Sequence, residues 1–98
     1  MTSYKLLIDE DFSEYEYEVE AKGWHSCSLI FNDKKYNLNF YDPTRLLQEA
    51  NANLSRDGFF MEENLIVLEK VNLINIEKSI SKLVKSKRMT DLKPAENE

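Results

Sequence analysis

Polar and apolar residues alternate strictly from Glu14 to Ala21, with Glu14, Glu16, Glu18 and Glu20 in one set and Tyr15, Tyr17, Val19 and Ala21 in the other. A period of two predicts a strand whose carboxylates share one side. Lys22-Gly23 then signals a turn, and Cys27, Leu29 and Phe31 alternate through the stretch His25 to Phe31. Asn32-Asp33-Lys34-Lys35 signals a second turn, after which Tyr36, Leu38 and Phe40 alternate with Asn37 and Asn39. Three strands joined by short turns predict an antiparallel meander with one apolar face. A two-residue loop at Asp33-Lys34 would pair Phe31 with Tyr36, Leu29 with Leu38 and Cys27 with Phe40. In the first hairpin a two-residue loop would set Glu16 and Glu18 beside Leu29 and Cys27, burying charge. A three-residue loop, Lys22 to Trp24, pairs Val19 with Cys27, Tyr17 with Leu29 and Tyr15 with Phe31 instead.

Helical spacing takes over after Phe40. Asp42-Pro43 is a helix start, because Asp accepts from the free first-turn amides and Pro suits the first helical position. Leu46, Leu47, Ala50 and Leu54 follow on one face, and Gly58 is the stop. Leu65 to Leu68 is a continuous apolar run that predicts a strand covered on both faces. Asn72 or Asn75 caps a last helix with the stripe Ile76, Ile80, Leu83 and Val84, its lysines Lys78, Lys82 and Lys85 turned away. Tyr4 to Ile8 predicts a further edge strand. The fold class expected is therefore α+β in the order (β)βββαβα. A mostly antiparallel sheet of four to five strands carries two helices on one face. Residues 1–88 form one domain and residues 89–98 a flexible polar tail.

Composition agrees with one core: the chain has 98 residues, 42% of them hydrophobic and 11% aromatic. The single cysteine, Cys27, leaves no disulfide framework or cysteine zinc cluster, and the first residues lack the design of a signal peptide. A cytoplasmic, non-membrane protein is expected. The net charge of −5 is unevenly spread: seven acids and no base lie between Asp9 and Glu20, while Lys78 to Arg88 holds five bases and no acid. An acidic face disfavours nucleic acid and favours a basic protein.

Candidate chemistry is sparse. His25 and Cys27 would share a strand face, yet Cys27 sits among apolar neighbours as a small buried hydrophobe. Asp9, Glu10 and Asp11 lack the glycine and spacing of a calcium loop. The lysine stripe of the last helix has no aromatic interleaving and reads as a solubilising face. No catalytic residue, metal ligand or cofactor is assigned, and an enzyme is not expected. Partner binding is assigned to Glu14, Glu16, Glu18 and Glu20 as an acidic strand face, with Asp11 beside it and Trp24 as an aromatic anchor. Tyr41 is a second anchor candidate.

The acidic meander, the helix opening Tyr41-Asp42-Pro43-Thr44-Arg45-Leu46-Leu47, the strand Leu65-Ile66-Val67-Leu68 and the closing helix resemble, in size, acidity and layout, the small bacterial immunity proteins of polymorphic and contact-dependent growth-inhibition systems. The resemblance spans residues 14–86. It implies a cytosolic protein that binds and blocks a toxin domain, often a basic nuclease, as a monomer alone or in a 1:1 complex. The alternative is a small acidic secretion chaperone for an effector protein.

Overall fold

The computed structural model describes residues 4–95. In chain order it contains β1 (Tyr4–Leu7), α1 (Phe12–Lys22), β2 (Trp24–Phe31), β3 (Lys34–Tyr41), α2 (Pro43–Asp57), β4 (Leu65–Val67), α3 (Leu73–Lys85) and a closing 3-10 turn, Arg88–Asp91. The α+β class is as expected, but the sheet is mixed. Its order is β1-β2-β3-β4, with β1–β2 and β2–β3 antiparallel and β3–β4 parallel across α2. No helix among the described residues is long and apolar enough to cross a membrane.

The main correction falls on residues 14–21, which form helix α1 rather than a strand. The first expected hairpin and its three-residue loop therefore do not exist. Phe12 explains why. The alternation would put Phe12 on the glutamate side, whereas a helix places Phe12, Tyr15 and Val19 on one stripe at spacings of three and four. Phe12 and Val19 are buried in the core, and Tyr15 packs against it. Glutamate and alanine also favour helix, and glutamate is depleted in strands. Gly23 ends α1 in the left-handed conformation (φ 74°), its N–H donating to the Val19 carbonyl at 2.9 Å.

The second hairpin forms with a different loop. Asn32 and Asp33 occupy it with φ values of 51° and 63°, as a two-residue turn matched to strand twist requires. Asn and Asp tolerate that conformation better than the Asp33-Lys34 pair would. Moving the loop by one position moves the register by two residues. Leu29 now faces Tyr36, Cys27 faces Leu38 and His25 faces Phe40. A shift of two keeps every side chain on its expected face. Leu29, Tyr36, Leu38 and Phe40 accordingly line the core together.

Tyr4–Leu7 is an edge strand paired with β2. β4 is the opposite edge, shorter than the expected run and exposed at Val67, while Leu68 is buried just beyond it. Asp42 caps α2 through the Arg45 N–H at 2.7 Å, and Gly58 stops it. Asn72 caps α3 through the Asn75 N–H at 3.0 Å. Ile76 and Ile80 bring α3 onto the core, with Leu83 and Val84 beside them.

Residues 89–95, expected as tail, are docked onto the body. Met89 is buried and Leu92 packs against the core. The Asn64 side chain bonds both the N–H and the carbonyl of Lys93 at 2.8 Å. The Ala95 N–H donates to the Lys35 carbonyl at 2.7 Å. These backbone partners extend the ordered body past residue 88.

Candidate protein-binding surface

Coiling residues 12–22 into α1 separates the four glutamates. Glu16 and Glu20, one turn apart, face the start of α3. A Glu16 carboxylate oxygen accepts from the Leu73 N–H at 2.7 Å, and Glu20 accepts from the Asn72 side-chain amide at 2.8 Å. Both carboxylates therefore sit at the positive end of the α3 dipole, where unpaired N–H groups are concentrated. Their role is to tie two helices together.

Glu14 and Glu18 form the other pair and project from the outer side of α1, exposed. Neither makes an ion pair among the described residues. Between them Tyr17 is 71% exposed, its hydroxyl reaching only Glu18 at 3.4 Å. A shallow groove between α1 and the start of α3 is lined by Ser13, Glu16, Tyr17, Glu20, Asn72 and Ile74. Ile74 stands out from it with two-thirds of its surface exposed. The single acidic wall is thus replaced by a smaller acidic face that carries two apolar anchors. The alternating strand pattern puts Tyr17 on the buried side. A helical reading of residues 12–22 would have put it outside.

Asp11 precedes α1 without a side-chain capping bond and is exposed near the start of this face. Asp9 is occupied: the Tyr15 hydroxyl donates to it at 2.7 Å, and that bond, with burial and the nearby acids, pushes the Tyr15 phenol up to about 12. Trp24 is not part of the α1 face. It opens β2 opposite Tyr41, on the side of the sheet away from the core and α1. Tyr41 is buried there rather than free as an anchor. Its hydroxyl donates to the Glu62 carboxylate at 2.8 Å, and burial together with Glu62 pushes its phenol up to about 12. Farther along this side, Ser26 bonds Asn39 at 2.6 Å and Ser28 bonds Asn37 at 2.8 Å, leaving a polar surface.

His25 and Cys27 share the core face of β2, as their parity requires. His25 meets the Phe12 ring edge-on at 5.0 Å, and burial lowers its pKa against an opposing pull from Asp9. Burial pushes the Cys27 thiol up to about 12. A nucleophilic cysteine needs the opposite shift, since the thiolate is the reactive form. Cys27 packs against the core cluster, and His25 packs against Phe12.

A second surface lay hidden in the pattern. No α2 residue is buried, and none joins the core cluster. Leu47 is 63% exposed, Leu54 51%, and beyond the helix end Phe59 is 61% and Met61 83% exposed. The spacing that located α2 correctly also implied a covered face, and Leu47 and Leu54 do not lie on one. No protein family, curated protein or solved structure matches this chain.

Proposed function

We propose that this chain acts without catalysis by covering a basic surface of another protein, and that it is an immunity or inhibitor protein neutralising a toxin domain. The observation that carries the reading is Tyr17, an exposed aromatic side chain beside the exposed carboxylates of Glu14 and Glu18, neither of them in an ion pair among the described residues. Aromatic anchors supply much of the energy of protein interfaces, and a charged rim speeds encounter with a partner of opposite sign. A nuclease must attract phosphate, so its active-site surroundings are basic and complementary to this face. Asp11 extends the negative rim, and Glu16 and Glu20 hold α1 at a fixed angle to α3 so that the anchor is presented on a rigid support.

The test uses the tagged full chain to capture its partner from the native cell at low salt. The expected partner is a basic protein, lost on raising salt and lost with Glu14→Lys/Glu18→Lys or Tyr17→Ala. Co-expression with the captured toxin should restore growth. A partner that is not basic, or one retained by both variants, would refute the reading.

The secretion-chaperone alternative draws on a different observation, the uncovered apolar residues of α2 and Phe59 to Met61. It requires the captured protein to be held partly unfolded, which amide hydrogen exchange on the complex would reveal. A toxin domain captured fully folded removes this alternative.

A further inference from the structure

We propose that the free edge of β4 and the lysine side of α3 together bind an extended acidic segment of a protein partner, which adds to the sheet as a further strand. This surface is separate from the α1 face, and the proposal stands independently of the function proposed above.

β4 ends the sheet on the side opposite β1. The Asn39 N–H donates to the Asn64 carbonyl at 3.1 Å, and the Leu68 N–H donates to the Tyr41 carbonyl at 2.8 Å. These two bonds set the phase of the parallel ladder. Ile66 turns its N–H and carbonyl toward β3, so Leu65 and Val67 turn theirs outward. Among the described residues, no backbone group beyond the sheet bonds to Leu65 or Val67. A row of open donors and acceptors is what an added strand pairs with.

α3 sets the charge of that strand. A groove of about 280 Å³ beside this edge is lined by Val67 and Glu69 and, from α3, by Asn75, Lys78, Ser79 and Lys82. The α3 residues recur at spacings of three and four, which makes them one stripe along the groove wall. Exposed Lys85 continues the stripe. None of Lys78, Lys82 and Lys85 is in an ion pair among the described residues. Residues 70–88 hold six bases against the single acid Glu77, in a chain whose net charge is −5. The groove is thus a positive site on a negative protein, and it attracts carboxylates.

Spacing favours an extended occupant. Lys78 and Lys82 are about 6 Å apart along the helix, and alternate side chains of a strand are about 6.5–7 Å apart. Carboxylates on every second residue of the added strand would meet successive lysines. A nucleic acid is the less suited polyanion, because the groove lining holds no aromatic ring on which a base could stack.

The probe is a short, end-blocked peptide alternating glutamate and valine, labelled with fluorescein and titrated with the full chain at low salt. Fluorescence anisotropy should show binding, and the amide NMR signals of Leu65 and Val67 should shift and gain protection from hydrogen exchange. Lys78→Glu/Lys82→Glu should weaken binding by about tenfold. Lys78→Arg/Lys82→Arg should keep it within about twofold, and Glu14→Lys/Glu18→Lys should not weaken it. The same peptide methylated on every backbone nitrogen cannot donate to an edge, and should bind at least about tenfold more weakly. A peptide alternating lysine and valine should not bind. Absence of binding at about 1 mM acidic peptide, equal binding of the methylated peptide, or indifference to the charge reversal would each overturn the proposal. So would a thymidine oligonucleotide that binds these lysines in preference to the acidic peptide. If the charge-reversed chain fails to fold, the methylated and lysine peptides decide on the wild type.

Discussion

Gly23 holds two helix caps at one place, and replacing it offers a sharp test of how the α1 end and the α2 start depend on each other. Its backbone closes α1 at φ 74°, and its carbonyl accepts from the Asp42 N–H at 2.8 Å. Asp42 in turn caps α2 through the Arg45 N–H at 2.7 Å. A Cβ added at Gly23 would overlap the Asp42 carboxylate, lying 2.6 Å from its Cγ. Gly58 is the natural control: it has φ 84°, and a Cβ there would meet nothing within 4 Å. Gly58→Ala therefore incurs only the left-handed penalty, about 1–2 kcal/mol, reduced by lower entropy of the unfolded chain. Gly23→Ala carries the same two contributions and also displaces the Asp42 cap, a further cost of about 0.5–2 kcal/mol before any steric strain. The difference between the variants should thus be at least about 0.5 kcal/mol, a melting-temperature gap of roughly 2–4 °C or more for a domain this size. Urea titrations followed by circular dichroism would measure both. In an Asp42→Ala background the gap should vanish, because the overlapping atoms and the cap are gone. Equal destabilisation by the two alanines, or a gap that persists without the Asp42 carboxylate, would refute this coupling.

The split of the acidic row predicts that Glu16→Ala, which removes a carboxylate bonded to the Leu73 N–H, destabilises the fold by about 1–2 kcal/mol, whereas exposed Glu18→Ala stays within about 0.5 kcal/mol. Similar denaturation midpoints for the two would return both glutamates to one equivalent face. For Cys27, burial raises the thiol from 9.0 to about 12. The folded thiol should therefore react slowly with a disulfide reagent at pH 8 and rapidly once urea unfolds the chain; fast labelling of the native protein would contradict its burial. Below pH 9 the thiol keeps its proton in both states. Between about 9 and 12 the unfolded chain ionises first, so stability should fall as pH rises through that window. Tyr15 and Tyr41, also raised to about 12, should act in the same direction. A Cys27→Ser chain with an unaltered pH profile from 9 to 12 would remove the thiol's share.

Local signals in the sequence determined much of the fold. Asp42-Pro43 and Gly58 bounded α2, Asn72 capped α3, and strand parity placed Leu29, Tyr36, Leu38 and Phe40 on one face even though the register moved. Each depends on backbone chemistry or on a period of two, and both act over a few residues. Tertiary structure decided the rest. Residues 14–21 satisfy an alternating and a helical pattern at once, and burying Phe12 and Val19 against β2 and α3 selected the helix. That choice turned Glu16 and Glu20 toward α3 and left Glu14, Tyr17 and Glu18 outside. The exposed side of α2 was equally hidden, because spacing shows that a stripe exists but not whether another element covers it. The docking of Met89 to Ala95 likewise depends on Asn64 and Lys35, which are distant in sequence. Which surfaces remain free for a partner is settled only after the core has taken what it can bury.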